Sequence, residues 1–190
     1  MSIDINNTFL VAAPIEEAWT VLNDIKRVAA CVPGAELTGT AGDDIYKGRI
    51  AVRLGPVQLA FGGSVEFLER DAVAHRARIR ATGNELKGRG SARAVMTCEL
   101  RPEGADTRVD IATALELAGQ VAQYGRGAAM ITSVAQQLVN DFAGALAADM
   151  RAAGGPAAPT KKAEIGVVSL LARAWWRELG RRLVAVFGRK

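Results

Sequence analysis

Between Ala35 and Leu117 apolar side chains recur at every second residue, and beyond Gly119 they recur at every third or fourth. This switch of period confines the chain to a few architectures, because period two belongs to strands and a period near 3.6 to a helix. Tyr46, Ile50, Val52 and Leu54 share one face while Lys47, Arg49 and Arg53 share the other. After the Gly55-Pro56 turn, Val57, Leu59, Phe61, Gly63, Val65 and Phe67 point one way. Ala77, Ile79 and Ala81 oppose Arg76, Arg78 and Arg80, with His75 on the inner set near the start of that strand. Ala92, Ala94, Met96, Cys98 and Leu100 follow, then Val109, Ile111, Thr113, Leu115 and Leu117. One apolar face and one wet face mark an antiparallel sheet. Ahead of this meander of about six strands, Ser2 to Val11 predicts a further strand. Ala13 to Leu22 predicts a helix with Pro14 at its start and acids in its first turn. A second short helix is predicted over Ile25 to Cys31, ended by Pro33-Gly34. Tyr124, Ala128, Ile131, Ala135, Leu138, Phe142 and Leu146 then form the stripe of one long helix reaching about Arg151. The expected class is α+β, a curved antiparallel sheet of about seven strands wrapped around the long C-terminal helix.

The predicted organisation is a domain over residues 1–152, a linker over 153–163 and a basic amphipathic helix over 164–190. The chain carries a formal net charge of +4, yet from Ala153 onward eight basic side chains face two acidic ones, so the body is slightly acidic. Trp175, Trp176, Leu179, Leu183 and Phe187 share one side of the tail helix, and Arg173, Arg177 and Arg181, with Arg182 beside them, supply its charge. Such a segment suits the plane of a membrane surface or the face of a protein, and it is too short in apolar residues to span a bilayer. An acidic body without a basic aromatic platform excludes nucleic acid as partner. A linker of this length reaches roughly 18 Å. The first residues hold no basic region followed by an apolar run, so cytoplasmic residence is expected.

Catalytic chemistry finds few groups. His75 is the lone histidine and Cys31 and Cys98 are the cysteines, which builds neither a nucleophile–base pair nor a metal site of ordinary spacing. No catalytic or metal-binding residue is therefore assigned. Gly63, Ala77, Ala81, Gly90, Ala92 and Ala94 are small inner-face residues, opposed by Ala128 and Ala135 of the helix. Sheet and helix then either approach unusually closely or enclose an apolar pocket. The candidate lining is Cys31, Val32, Pro33, Tyr46, Phe61, Phe67, Met96, Tyr124, Ile131 and Leu138. Each has a structural alternative: Cys31 as a small packed thiol, the tyrosines as core residues with satisfied hydroxyls, the remainder as core filling.

The order of elements resembles the START-like, or polyketide cyclase and lipid-transport, superfamily, whose helix-grip fold holds an apolar cavity. Cys31-Val32-Pro33-Gly34-Ala35-Glu36, Tyr46-Lys47-Gly48, Leu54-Gly55-Pro56, Phe61-Gly62-Gly63 and Gly125-Arg126-Gly127 are similar, in that order, to the carbon monoxide dehydrogenase G-subunit family. The likeness covers roughly residues 3 to 150, and the tail matches only in kind. It implies a non-catalytic accessory protein of a molybdenum-containing carbon monoxide dehydrogenase or related hydroxylase. Such a protein would act peripherally on the inner face of the cytoplasmic membrane, with no covalent cofactor. A respiratory quinone such as menaquinone, or a lipid, is the implied apolar ligand. An assembly factor for the hydroxylase, or a small cyclase or hydrolase on the same fold, are the alternatives.

Overall fold

The computed structural model describes residues 2–154. In chain order these form β1 (Ser2–Val11), α1 (Ile15–Asn23), α2 (Ile25–Cys31), β2 (Ala35–Thr40), β3 (Ile45–Leu54), β4 (Val57–Asp71), β5 (Arg76–Glu85), β6 (Gly90–Glu103), β7 (Asp106–Gly119), a 3-10 helix (Gln120–Gly127) and α3 (Ala128–Gly154). The strands make one antiparallel sheet in the order β1-β7-β6-β5-β4-β3-β2. This is the seven-stranded sheet with a long terminal helix that the periods predict. Tail residues 155–190, and with them Trp175, Trp176, Leu179, Leu183, Phe187, Arg173, Arg177, Arg181 and Arg182, lie outside the described residues.

Burial in β1 alternates strictly, with Ile3, Ile5, Asn7, Phe9 and Val11 inside. Its partner β7 turns Val109 and Leu117 into the same interior. Asp24 separates the two short helices: its backbone ends α1, and its carboxylate accepts the N–H groups of Lys26 and Arg27 at 3.0 and 3.2 Å to start α2. Such a cap satisfies donors that the first helical turn otherwise leaves unpaired. Thr107, fully buried, donates from Oγ1 to the Ala13 carbonyl at 2.8 Å and ties β7 to the chain entering α1.

A glycine row crosses the sheet, where register aligns Gly48 with Gly63 and Gly63 with Gly83. A Cβ at Gly63 would collide with the carbonyl oxygen of Thr82 and sit 2.7 Å from the Cα of Gly83. A side chain at Gly63 is incompatible with this approach of the β4 and β5 backbones, and one at Gly48 would sit 2.8 Å from the Glu36 carbonyl oxygen.

Two details depart from the predicted elements. Residues 120–127 form a 3-10 helix ahead of α3 instead of its first turns. Three residues per turn against 3.6 shifts a stripe only gradually over so short a stretch, so spacing alone does not separate the two. His75 sits in the turn before β5, at φ +47°, and not within the strand.

Candidate functional site

The interior divides into two packed clusters. The first gathers Phe9, Val11, Ala18, Val21, Cys31, Leu100, Val109, Phe142 and Leu146 where α1 and α2 meet the distal half of α3, with Phe9 and Phe142 edge-on at 5.6 Å. The second gathers Ile3, Ile5, Leu54, Leu59, Leu117, Val121 and Ile131 near the start of α3. Between them, on the same concave face, Tyr46, Val65, Ile79, Ala81, Ala94 and Met96 are half-buried and belong to neither cluster. Register places them side by side: Tyr46 opposite Val65, Val65 opposite Ala81, Ala81 opposite Ala94, and Ile79 opposite Met96.

Close-packed interiors leave few voids, so a contiguous band of half-buried apolar side chains on an inner face marks space that the protein's own atoms do not fill. α3 meets the sheet at both clusters, through Phe142 and Leu146 in the first and Ile131 in the second, and the half-buried band lies between these contacts. Of the two readings of the small inner-face residues, this band is the observation that speaks for open space.

The predicted lining residues fall in different places. Tyr46, Met96 and Leu138 are half-buried outside both clusters. Phe67 is buried with its ring edge-on to Tyr46 at 6.3 Å. Phe61 and Ile131 pack in the second cluster. Cys31 is buried in the first, with Val32 packed against it. Pro33 is half-buried after α2. Tyr124 lies in the 3-10 helix, its side chain outside those described. The Tyr46 hydroxyl donates to the Asp43 carbonyl at 3.3 Å.

Several polar groups around this band carry no signal in the spacing. Asn7, buried on the concave face, donates to Gln136 Oε1 of α3 at 2.7 Å, and Gln136 Nε2 in turn donates to Asn140 at 3.0 Å, a polar tie between sheet and helix. Arg70 lies over the Phe67 ring at 3.8 Å from its centroid and pairs with Asp44 at 2.9 Å. Register shifts between Phe67 and Glu69, and this bulge sets Arg70 opposite the buried Ala77. For Arg70 alone a sequence signal exists, the consecutive pair Phe67-Leu68, which breaks the alternation.

Burial raises the thiol of Cys98 to about 11 and also raises that of Cys31, so both stay protonated near neutrality and are poor nucleophiles. His75 contacts Glu16 at 3.1 Å and stacks edge-on with Trp19 at 5.6 Å, which ties the β4–β5 turn to α1. Among the described residues there is no group of three His, Cys, Asp or Glu side chains fit to hold a metal ion. No helix among them is long and apolar enough to cross a membrane.

A family model described as the G subunit of carbon monoxide dehydrogenase (CoxG) matches residues 8–150. No curated protein matches the chain. Among solved structures, a conserved protein from Geobacillus kaustophilus is similar at 22% identity and TM-score 0.69, covering 80% of this chain and 97% of that one. The ZhuI aromatase/cyclase from Streptomyces sp. R1128 is similar at 17% identity and TM-score 0.58, covering 82% and 100%. Norcoclaurine synthase from Thalictrum flavum is similar at 16% identity and TM-score 0.55, covering 82% and 90%. At these identities the likeness is one of fold.

Proposed function

Because the chain belongs to the CoxG family of carbon monoxide dehydrogenase, matched over residues 8–150, we propose that it is a non-catalytic accessory protein with an apolar ligand, a respiratory quinone, between sheet and α3. In this reading it links a molybdenum-containing dehydrogenase to the cytoplasmic membrane. The observation that carries the proposal is the half-buried apolar band between two packed cores. An isoprenoid tail needs such a surface to leave water, at roughly 25 cal/mol for each Å² covered. The protonated thiols and the histidine tied to Glu16 and Trp19 support binding over chemistry. For the tail, the supporting observation is its sequence, with a tryptophan pair beside arginines.

Native mass spectrometry and solvent extraction of protein purified from its host test the ligand. An apolar carbonyl compound of lipid size is the expected result, and a consistently empty protein or a polar occupant sinks the reading. Removing Ala153 to Lys190 should leave the partner dehydrogenase active toward soluble dyes but unable to feed membrane respiration. Unchanged respiration would count against the tail as the membrane link.

A further inference from the structure

Among the described residues, Arg70 is the one cation that the strands place at a concave-face position. The remaining inner positions carry apolar, small or polar side chains, with the exception of Glu85. That carboxylate is itself committed to Arg89 and to the backbone of its own turn. Strict alternation from Phe67 would send Arg70 outward, and the bulge between Phe67 and Glu69 reverses it. Its guanidinium covers one face of Phe67, which is 7% exposed, while one terminal nitrogen meets Asp44. Asp44 is fixed in turn, because its carbonyl accepts the backbone N–H of Phe67 at 3.1 Å. The pair therefore stands beside Tyr46 at the edge of the apolar band.

A guanidinium offers five N–H donors and Asp44 does not use them all. The pair is electrically neutral, so a neutral oxygen acceptor gains a charge-assisted hydrogen bond without bringing a second anion beside the carboxylate. A carboxylate or phosphate at the same place meets repulsion from Asp44 that cancels much of its attraction to Arg70. We propose that Arg70, Asp44 and Phe67 form a head-group subsite that accepts neutral, carbonyl-bearing amphiphiles and discriminates against acid-ended ones. This rests on the reading that the concave band holds an apolar ligand.

The test uses the full chain and the neutral fluorescent probe N-phenyl-1-naphthylamine. The probe is displaced by a long-chain methyl ketone or by a fatty acid of equal length, at a pH where the acid is ionised. In the wild-type protein the ketone should displace the probe at about tenfold lower concentration, the scale of one hydrogen bond to a charged group. Arg70→Met should abolish that preference by weakening the ketone about tenfold. Arg70→Lys should weaken the ketone as well, since an ammonium lacks the planar fork. Asp44→Asn should shift the preference toward the fatty acid, an outcome that general loosening of the fold does not produce. Probe binding with a competitor ratio unmoved in all three variants overturns the subsite alone. A wild-type protein that fails to bind the probe overturns the apolar cavity and the subsite with it.

Discussion

Leucine in place of Ala81 or Ala94 separates open space from packed core. The two alanines face each other across β5 and β6 and are both half-buried on the concave face. Each substitution adds three carbon atoms. Directed into unfilled space, the new side chain covers apolar surface, and at about 0.8 kcal/mol per buried methylene the change lies between zero and a gain of roughly 2 kcal/mol. Forced into a filled interior, the same change costs about 1–3 kcal/mol. Ala18 and Ala77 supply the control, being 0% and 6% exposed. In a domain of this size 1 kcal/mol moves the melting temperature by about 2–4 °C. Ala81→Leu and Ala94→Leu should therefore melt at or a few degrees above the wild-type temperature, while Ala18→Leu and Ala77→Leu fall by roughly 2–12 °C. Thermal unfolding followed by circular dichroism reads the difference, and probe displacement should show weaker ligand binding in the first pair and not in Ala18→Leu. Melting temperatures that fall as far in Ala81→Leu and Ala94→Leu as in the controls would refute the open band.

Glu85 should make stability depend on acid. The Arg89 guanidinium, with the backbone N–H groups of Arg89 and Lys87, holds its carboxyl at about 2, below the ordinary 4.5. Because the folded value is the lower one, the stabilisation is complete above pH 4.5 and is lost as pH falls toward 2. Urea midpoints taken from pH 6 downward should therefore decline more steeply in the wild type than in Glu85→Gln, and parallel curves would contradict the assignment. Gly63→Ala should cost at least about 2 kcal/mol in urea unfolding, because its methyl group meets the Thr82 backbone and not a yielding side chain. An unchanged midpoint would show that the β5 backbone yields to a side chain at that position.

Much of this arrangement is legible in the sequence because alternation is a local property. Val57 to Phe67 assign their own faces without knowledge of the partner strands, and the register agrees through Phe67. Beyond that residue the bulge resets the parity, so Arg70 reads as outward-facing in the sequence while it covers Phe67 in the structure. Cys31 illustrates a different limit. The sequence offers it as cavity lining or as a small packed thiol, and its 6% exposure in a cluster with Phe142 and Leu146 depends on a distant part of the chain. The Asn7–Gln136 hydrogen bond spans 129 residues, and nothing in either neighbourhood announces it. The space between the clusters is likewise a difference between volumes supplied by separate strands and a helix. Small residues hint at it, and only the assembled sheet shows which of their neighbours stay half-buried between the two clusters.

The pairing of β1 with β7 has a consequence for synthesis. Every other strand pairs with its neighbours in sequence, but Ser2 to Val11 align with Glu116 to Thr107. A ribosome adding about 5–20 residues per second takes roughly 5–20 s to make the intervening hundred. For that time Ile3, Ile5, Phe9 and Val11 lack the strand that buries them, while β2 to β6 are free to assemble from local hairpins. The first strand made is thus the last to enter the sheet, and on the nascent chain it is the segment most in need of a chaperone.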